Sequence, residues 1–282
     1  MKTGIVVLNY NDSKTTIELL NKIKDYKTLD LIVVVDNNST DNSYKILTKY
    51  ENDKIKVIES GKNNGYGYGN NVGCKYLVER NYDYIIISNP DVIFEDKDIK
   101  ELSDSFQNEN IAIVAPVVNE HGTLNRGWKF QNAFVDSLSN INYIGRYFKK
   151  KRLYKDEHYN GKFSEVDVVS GCFFMVKAKY FEQINYFDEN IFLYYEENII
   201  AKRLKKIGKK ILINNNVTVV HNHSVSVDKS LNKINKFKRL TKSQRYYHKN
   251  YNKTGIFGML CLYISYYIAL GISYILYIFK RR

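Results

Sequence analysis

The sequence predicts an α/β fold: a mainly parallel sheet with flanking helices, followed by a basic region and an apolar tail. Three observations predict it. Short Val- and Ile-rich runs alternate with helix-spaced segments through the first 118 residues, the pattern of right-handed βαβ units. Several of these runs are apolar at consecutive positions, as strands covered on both faces are. The positive charge and the longest uncharged apolar stretch both fall in the last 55 residues.

The elements follow in order. Ile5–Asn9 reads as a strand and Ser13–Tyr26 as a helix with Asp12 or Ser13 as N-cap. Leu31–Asp36 is a buried strand, and Asn38-Ser39-Thr40 introduces a helix over Asp41–Tyr50. Lys56–Ile58 is a short strand, followed by a glycine-rich turn and a helix to about Glu79. Tyr84–Ser88, a helix over Asp98–Phe106, and Ile111–Val118 complete the alternation. Residues 119–163 show no firm periodicity, and Arg146–Lys155 is strongly basic, as expected of a functional loop or small insertion. Strands are expected again at Val166–Val169 and Cys172–Val176. Helices follow at Ala178–Ile184 and from Glu196 to Ile207, stopping at Gly208, with final strands at Ile211–Ile213 and Val217–Val220.

A chain of 282 residues, 44% hydrophobic and with 2 prolines, is long enough for one large or two small domains and is not wholly disordered. Cys74, Cys172 and Cys261 are far apart with no CxxC pair, which excludes a zinc ribbon and argues against a disulfide framework. The N-terminus enters a strand pattern directly, without signal-peptide architecture, so a cytosolic body is expected. The net charge of +13 is a property of the tail. Residues 228–282 carry +11, leaving +2 for everything before them. Nucleic-acid domains spread basic residues over a folded face, so no nucleic-acid partner is expected.

No charged residue occurs between Lys253 and Lys280. A helix of that length reaches roughly 37 Å against a hydrocarbon core of about 30 Å. Lys249 and Lys253 precede it and Lys280–Arg282 follow, and such basic flanks attract anionic cytoplasmic lipid. Tyr263, Tyr267, Tyr274 and Tyr277 fall on one helical face, as in a segment lying in the headgroup plane; a single span is the other membrane reading. A buried C-terminal helix or a contact with a second copy of the chain is the alternative. Leu231, Ile234 and Phe237 recur among lysines as a basic amphipathic helix approaching the bilayer.

Ligands on parallel α/β sheets bind at the carboxyl ends of the strands. Asp36 ends the second strand, where a carboxylate can accept from a nucleobase N–H or ribose hydroxyl, or simply cap the Asn37-Asn38-Ser39 turn. Gly65-Tyr-Gly-Tyr-Gly69-Asn-Asn-Val-Gly73 can bring backbone amides close to a phosphate at a helix N-terminus. It follows the third strand, and the first turn has no glycine, so it is no dinucleotide fingerprint. Asn89-Pro90-Asp91 offers two oxygen ligands for a hard cation, Mn²⁺ or Mg²⁺, or a plain turn. His221 and His223 follow the last strand, as metal ligands or polar edge residues. Glu196 and Glu197 open a helix that closes on Lys205-Lys206, a capping pattern that can also hold a general base ionised.

Seven segments occur in a recognisable order: Val6–Asn11, Val35–Asp41, Asn64–Asn70, Ser88–Asp91, Ser170–Phe174, Phe187–Glu197 and Val219–Ser224. Together they resemble glycosyltransferase family 2 over about residues 1–225, its rhamnosyltransferase-like branch most closely. The resemblance implies a GT-A fold with a Rossmann-like sheet, a nucleotide-diphosphate sugar donor, and a divalent cation held through a DxD-type site. By position it implies that Asp36 meets the nucleobase, with Asn9 and Asn11 in the same pocket and Gly65, Asn70 and Asn89 also in the donor site. Asp91 is then the principal metal ligand and His221 the late metal-site histidine. Asn89 stands where the motif's first acid is usual. The family's base, usually the Asp of a Glu-Asp pair, falls on Glu197, with Glu196 as the alternative, and Ile199 stands where an acid is common.

The organisation that follows is a transferase domain over 1–225, divided into a nucleotide-sugar half (1–118) and an acceptor and catalytic half (119–225). A basic juxtamembrane region (226–253) and an apolar membrane segment (254–282) complete it. The expected reaction is an inverting, metal-dependent sugar transfer to a lipid-linked saccharide at the cytoplasmic face of the membrane, in surface polysaccharide assembly. A nucleotidyltransferase would need a glycine-rich or basic loop in Asn9–Ser13, which is lacking. A membrane scaffold that has lost its site is the third reading, supported by Asn89 and Ile199.

Overall fold

A computed structural model describes residues 1–222 and 233–279. The first half alternates as the periodicity predicts: β1 (Thr3–Asn9), α1 (Ser13–Ile23), β2 (Leu31–Asp36), α2 (Ser43–Leu47) with a 3-10 turn at Thr48–Tyr50, β3 (Ile55–Glu59), α3 (Tyr66–Val78), β4 (Tyr84–Ser88), β5 (Val92–Ile93), α4 (Asp96–Asp104) and β6 (Ile111–Glu120). The second half contains β7 (Thr123–Asn125), α5 (Ala133–Ser139), α6 (Asn142–Lys150), β8 (Phe163–Val166), β9 (Phe173–Lys177), α7 (Ala178–Gln183), α8 (Glu196–Lys206) and β10 (Lys210–His221). Two long helices close the chain, α9 (Lys233–Asn250) and α10 (Ile256–Phe279).

Among the described residues the strands form one curled sheet in the order β3-β2-β1-β4-β9-β6-β10-β5, with β7 on β6 and β8 on β10. The first four strands are parallel, as expected. Beyond β4 the sheet becomes mixed, because β9 inserts antiparallel between β4 and β6 while β6 and β10 remain parallel. Strand interiors alternate between two cores. Val6, Val33, Val35, Ile85 and Ile87 face one layer with Leu77 and Phe181. Ile5, Val7, Ile32, Val34 and Ile86 face the other with Leu20 and Leu102. Consecutive apolar residues are thus needed because both faces are covered.

Several details differ from the sequence reading, among them the strand expected at Val166–Val169, which is β8 and ends at Val166. The two final strands are one, β10, which bulges between Asn214 and Thr218; the polar Asn214-Asn-Asn216 run that suggested a break lies within it. The stretch 119–163, expected to be a functional loop or a small insertion, holds α5 and α6, each too short to register as periodicity.

The C-terminal helices pack on this body. Thr241, Gln244, Tyr247 and His248 of α9 are buried. Leu262, Ser265 and Ala269 of α10 are buried as well, and α10 lies against α5 and α9. Of the amphipathic pattern around Leu231, the residues from Lys233 onward are helical, whereas Leu231, His223, Ser224 and Lys280–Arg282 lie outside the described residues.

Candidate active site

The carboxyl ends of β1, β2 and β4 meet at one edge of the sheet, and the loops there are tied together. Asp36 is fully buried. Its carboxylate accepts from Asn9 Nδ2 at 2.8 Å and from the Ser39 hydroxyl and amide at 2.7 and 2.9 Å. Asn11, at φ +52°, receives the Thr40 amide on Oδ1 at 2.8 Å and donates its own amide to Ser39 at 2.9 Å. Asp36 therefore holds the 36–40 turn against the 9–11 turn.

Gly65 precedes α3 at φ +105°, and a Cβ there would lie 2.2 Å from the carbonyl oxygen of Phe192. The first amide of α3, that of Tyr66, goes to that same carbonyl at 2.9 Å. The glycine segment is thus fastened to the chain entering α8. Asn70 is fully buried in α3, its Nδ2 on the Tyr66 carbonyl at 3.0 Å.

Asp91 and His221 come together across the β5–β10 pairing. His221 Nε2 lies 3.2 Å from Asp91 Oδ1, and His221 Nδ1 lies 3.4 Å from Glu120 Oε1. Burial disfavours a charged ring, but Asp91, Cys172 and Glu120 overcome it and push the imidazole up to about 12. Donor atoms of Glu120, Cys172 and His221 all lie within 4.8 Å of one another. Cis ligands of a cation with bonds of 2.0–2.1 Å are about 3 Å apart, so the Asp91–His221 spacing fits one divalent ion. A carboxylate behind the other ring nitrogen, as Glu120 is here, orients a metal-binding imidazole. Asn89 is one residue from the pair, with its amide on the Cys172 carbonyl at 2.8 Å.

Glu197 begins the first turn of α8 beside Glu196, after Tyr194 and Tyr195 at φ +73° and +71°. These two left-handed, non-glycine residues are a costly conformation of the kind that clusters at functional sites. Glu196 is buried, and among the described residues its Oε1 has no hydrogen-bond partner. Glu197 is half-buried and lines a cavity of about 720 Å³. Its Oε1 accepts the Gly171 amide at 3.1 Å. Burial raises both carboxyls above their ordinary range, more than the helix N-terminus offsets, and the Glu197 charge pushes Glu196 up further. Ile199 is fully buried with Ile191 and Tyr247, a core position at which an acid has no role.

Three features were invisible in the sequence. Tyr66 donates to the Gly171 carbonyl at 2.8 Å and reaches Asn89 Oδ1 at 3.2 Å, linking the Glu197 and Asp91 sites. Burial, then Glu197, Cys172 and Glu196, push its hydroxyl well above the ordinary tyrosine value, so it stays a neutral donor. Glu120 joins His221 from 101 residues away. Asp136 receives Tyr195 and His248, each at 2.8 Å, joining α5, α8 and α9. Only tertiary structure brings such pairs together.

Residues 4–184 match the family described as Glycosyl transferase family 2. The low-salt glycan biosynthesis hexosyltransferase Agl10 of Haloferax volcanii is 30% identical over 225 residues, covering 79% of this chain and 67% of that protein. The dTDP-rhamnosyl transferase RfbF of Shigella flexneri is 26% identical over 217 residues, 77% of this chain and 67% of that protein. Rhamnosyltransferase WbbL of Escherichia coli is 24% identical over 195 residues, 62% of this chain and 71% of that protein. Among solved structures, GalNAc-T7 with UDP, GalNAc and Mn²⁺ superposes with a TM-score of 0.62 at 14% identity, over 80% of this chain and 44% of that one. S. aureus TarS 1-349 with UDP-GlcNAc superposes with a TM-score of 0.59 at 16% identity, over 89% and 67%. These two likenesses establish the GT-A architecture, and the family match with its hexosyl- and rhamnosyltransferase relatives establishes the lineage: the chain belongs to glycosyltransferase family 2, in its rhamnosyltransferase-like branch.

Proposed function

We propose that this chain catalyses an inverting, metal-dependent transfer of a sugar from a nucleotide diphosphate to a hydroxyl of a lipid-linked saccharide, at the cytoplasmic face of the membrane. One observation carries the reading: Glu197 lines the cavity and is joined through Gly171 and Tyr66 to Asn89, beside the Asp91–His221 pair. Glu197 takes the acceptor hydroxyl's proton. The acceptor oxygen then attacks the anomeric carbon opposite the departing nucleotide diphosphate, and the configuration inverts. Asp91 and His221 would hold a Mn²⁺ or Mg²⁺ ion, which supplies charge neutralisation for the leaving diphosphate. Asn9, Asn11 and Asp36 shape the nucleobase end, with Gly65, Asn70 and Asn89 lining the approach to the sugar.

Membrane association rests on α10, which is long and apolar enough to cross a bilayer. Its Leu262, Ser265 and Ala269 face pack on the protein, while Ile256 and Phe257 are 88% and 86% exposed. A helix held this way along the body favours lying in the interface plane over spanning. The relatives Agl10, RfbF and WbbL, as a glycan-biosynthesis hexosyltransferase and two rhamnosyltransferases, support a saccharide acceptor.

The test is donor hydrolysis and thermal shift of the full chain with a panel of nucleotide sugars, with and without Mn²⁺ or Mg²⁺. An active transferase hydrolyses one donor slowly and is stabilised by it; a ligand at 100 times its Kd adds about 2.7 kcal/mol. A folded protein that responds to none of them is a scaffold.

A further inference from the structure

The cavity beside Glu197 has a second pole. Arg146 and Lys149 of α6, three residues apart and so on one helical face, line it together with Arg152 just beyond the helix. The Arg152 guanidinium lies over the Trp128 ring at 5.3 Å. Among the described residues none of the three cations forms an ion pair with a carboxylate, although Asp136 and Glu197 share the cavity. Asp136 is engaged by His248 and Tyr195. The Arg152 charge acts on Glu197 and opposes the effect of burial on that carboxyl, which leaves Arg146 and Lys149 as cavity cations with no ion-paired carboxylate among the described residues. A neutral saccharide would not pair with them, and an anion would. The donor's diphosphate is not that anion on the reading above, because the cavity lining includes Glu197 but neither Asp91 nor His221. From this basic pole the cavity continues to Phe237 and Leu240 of α9 and to Ala269 and Ser273 of α10, the helix whose outer face is apolar and exposed.

We propose that this cavity is the acceptor site and takes an acceptor whose sugar is attached through phosphate to a lipid. Arg146, Lys149 and Arg152 hold the phosphate or diphosphate, the sugar hydroxyl reaches Glu197, and the lipid leaves past Phe237 and Leu240 along α10. The inference rests on the transferase reading but adds the acceptor's anionic link and the residues that recognise it. The same phosphate chemistry could come from a bilayer headgroup, and the test separates the two sources.

Trp128 is the single tryptophan of the chain and stands in the cavity wall, so its fluorescence reports occupancy. The full chain in neutral detergent is titrated with geranylgeranyl diphosphate, geranylgeraniol and phosphatidylglycerol. Expected are saturable binding of the diphosphate, binding of the alcohol at least tenfold weaker, and no saturable response to phosphatidylglycerol. Arg146→Gln and Lys149→Gln should each weaken diphosphate binding about tenfold, the worth of one charge-assisted contact. Both variants should keep the wild-type thermal shift with nucleotide and Mn²⁺, which reports an intact fold and donor side. Equal binding of alcohol and diphosphate, indifference to both substitutions, or equal saturation by phosphatidylglycerol overturns the proposal. If the diphosphate response is present but no nucleotide sugar stabilises the protein, the donor assignment fails and the acceptor site stands.

Discussion

The Gly171 amide donates to Glu197 Oε1 at 3.1 Å, and a Cβ on Gly171 would stand 2.5 Å from that same oxygen. The absence of a side chain at 171 thus fixes where the carboxylate lies. Gly171→Ala needs no unusual backbone angle, so the strain falls on the carboxylate, which must swing away. Transfer should drop about 10²-fold, the cost of misplacing a reacting group by about 1 Å, with donor binding unchanged. Steady-state kinetics beside a donor thermal shift separates the two. Wild-type turnover would mean the carboxylate's position is unimportant.

Between the two glutamates, Glu197→Gln should lower transfer by about 10²–10⁴-fold while keeping donor affinity, the usual range for a general base. Glu196→Gln should do less. Because burial raises the Glu197 carboxyl, transfer should rise with pH through a midpoint above the ordinary 4.5 and stay flat beyond it. An inactive Glu196→Gln beside an active Glu197→Gln would reverse the assignment.

Glu196 also makes a stability prediction. Its carboxyl binds a proton more tightly folded than unfolded, first through burial and then through the Glu197 charge. Its contribution is therefore fully present below the unfolded value and is lost as pH rises through the folded one. Glu196→Gln should gain Tm relative to wild type as pH increases, with the two converging in acid. A pH-independent Tm difference would show that Glu196 is not held protonated.

Asp91→Ala should remove the metal-dependent part of nucleotide stabilisation and leave the fold intact. The same thermal shift with and without Mn²⁺ in wild type and variant checks this, and retained metal dependence in a folded variant would exclude Asp91 from the cation site.

The sheet was legible because its strands are covered on both faces, so Val33 to Val35 had to be apolar without a break. That Asp36, Asp91, Glu197 and His221 stand at strand ends and a helix start was legible, because those places are readable from strand and helix patterns. Tyr66, Glu120 and Asp136 were not, since each acquires its role from a partner at least 23 residues away. The help that the α8 N-terminus was expected to give an ionised glutamate is present at Glu197, where backbone amides favour the charged form, but burial outweighs it, and burial is a tertiary property. The basic helix expected to reach the bilayer carries Gln244, Tyr247 and His248 buried against the body, which local spacing alone does not reveal.

The two faces of α10 have different neighbours. Phe257, Leu260 and Ile264 are exposed and recur at helical spacing, whereas Leu262 is fully buried. Deleting the helix would test both at once, since it would also take Ser265 from Asn140, which reaches it at 3.4 Å. Point substitutions do not share that defect. Replacing Phe257, Leu260 and Ile264 together by Ser should lower Tm far less than Leu262→Ala does, because Phe257 is 86% exposed and Leu260 and Ile264 keep about half of their surface in solvent. It should abolish vesicle binding at high salt, since each residue contributes about 1.5–3 kcal/mol when it enters an apolar phase. Weak, salt-sensitive binding to anionic vesicles should persist through the remaining lysines. Leu262→Ala should do the opposite, costing about 2–5 kcal/mol of stability while the folded protein still sediments with vesicles. Sedimentation at low and high salt, with Tm measured in parallel, reads both. If the triple variant sediments like wild type at high salt, the exposed face of α10 does not meet lipid.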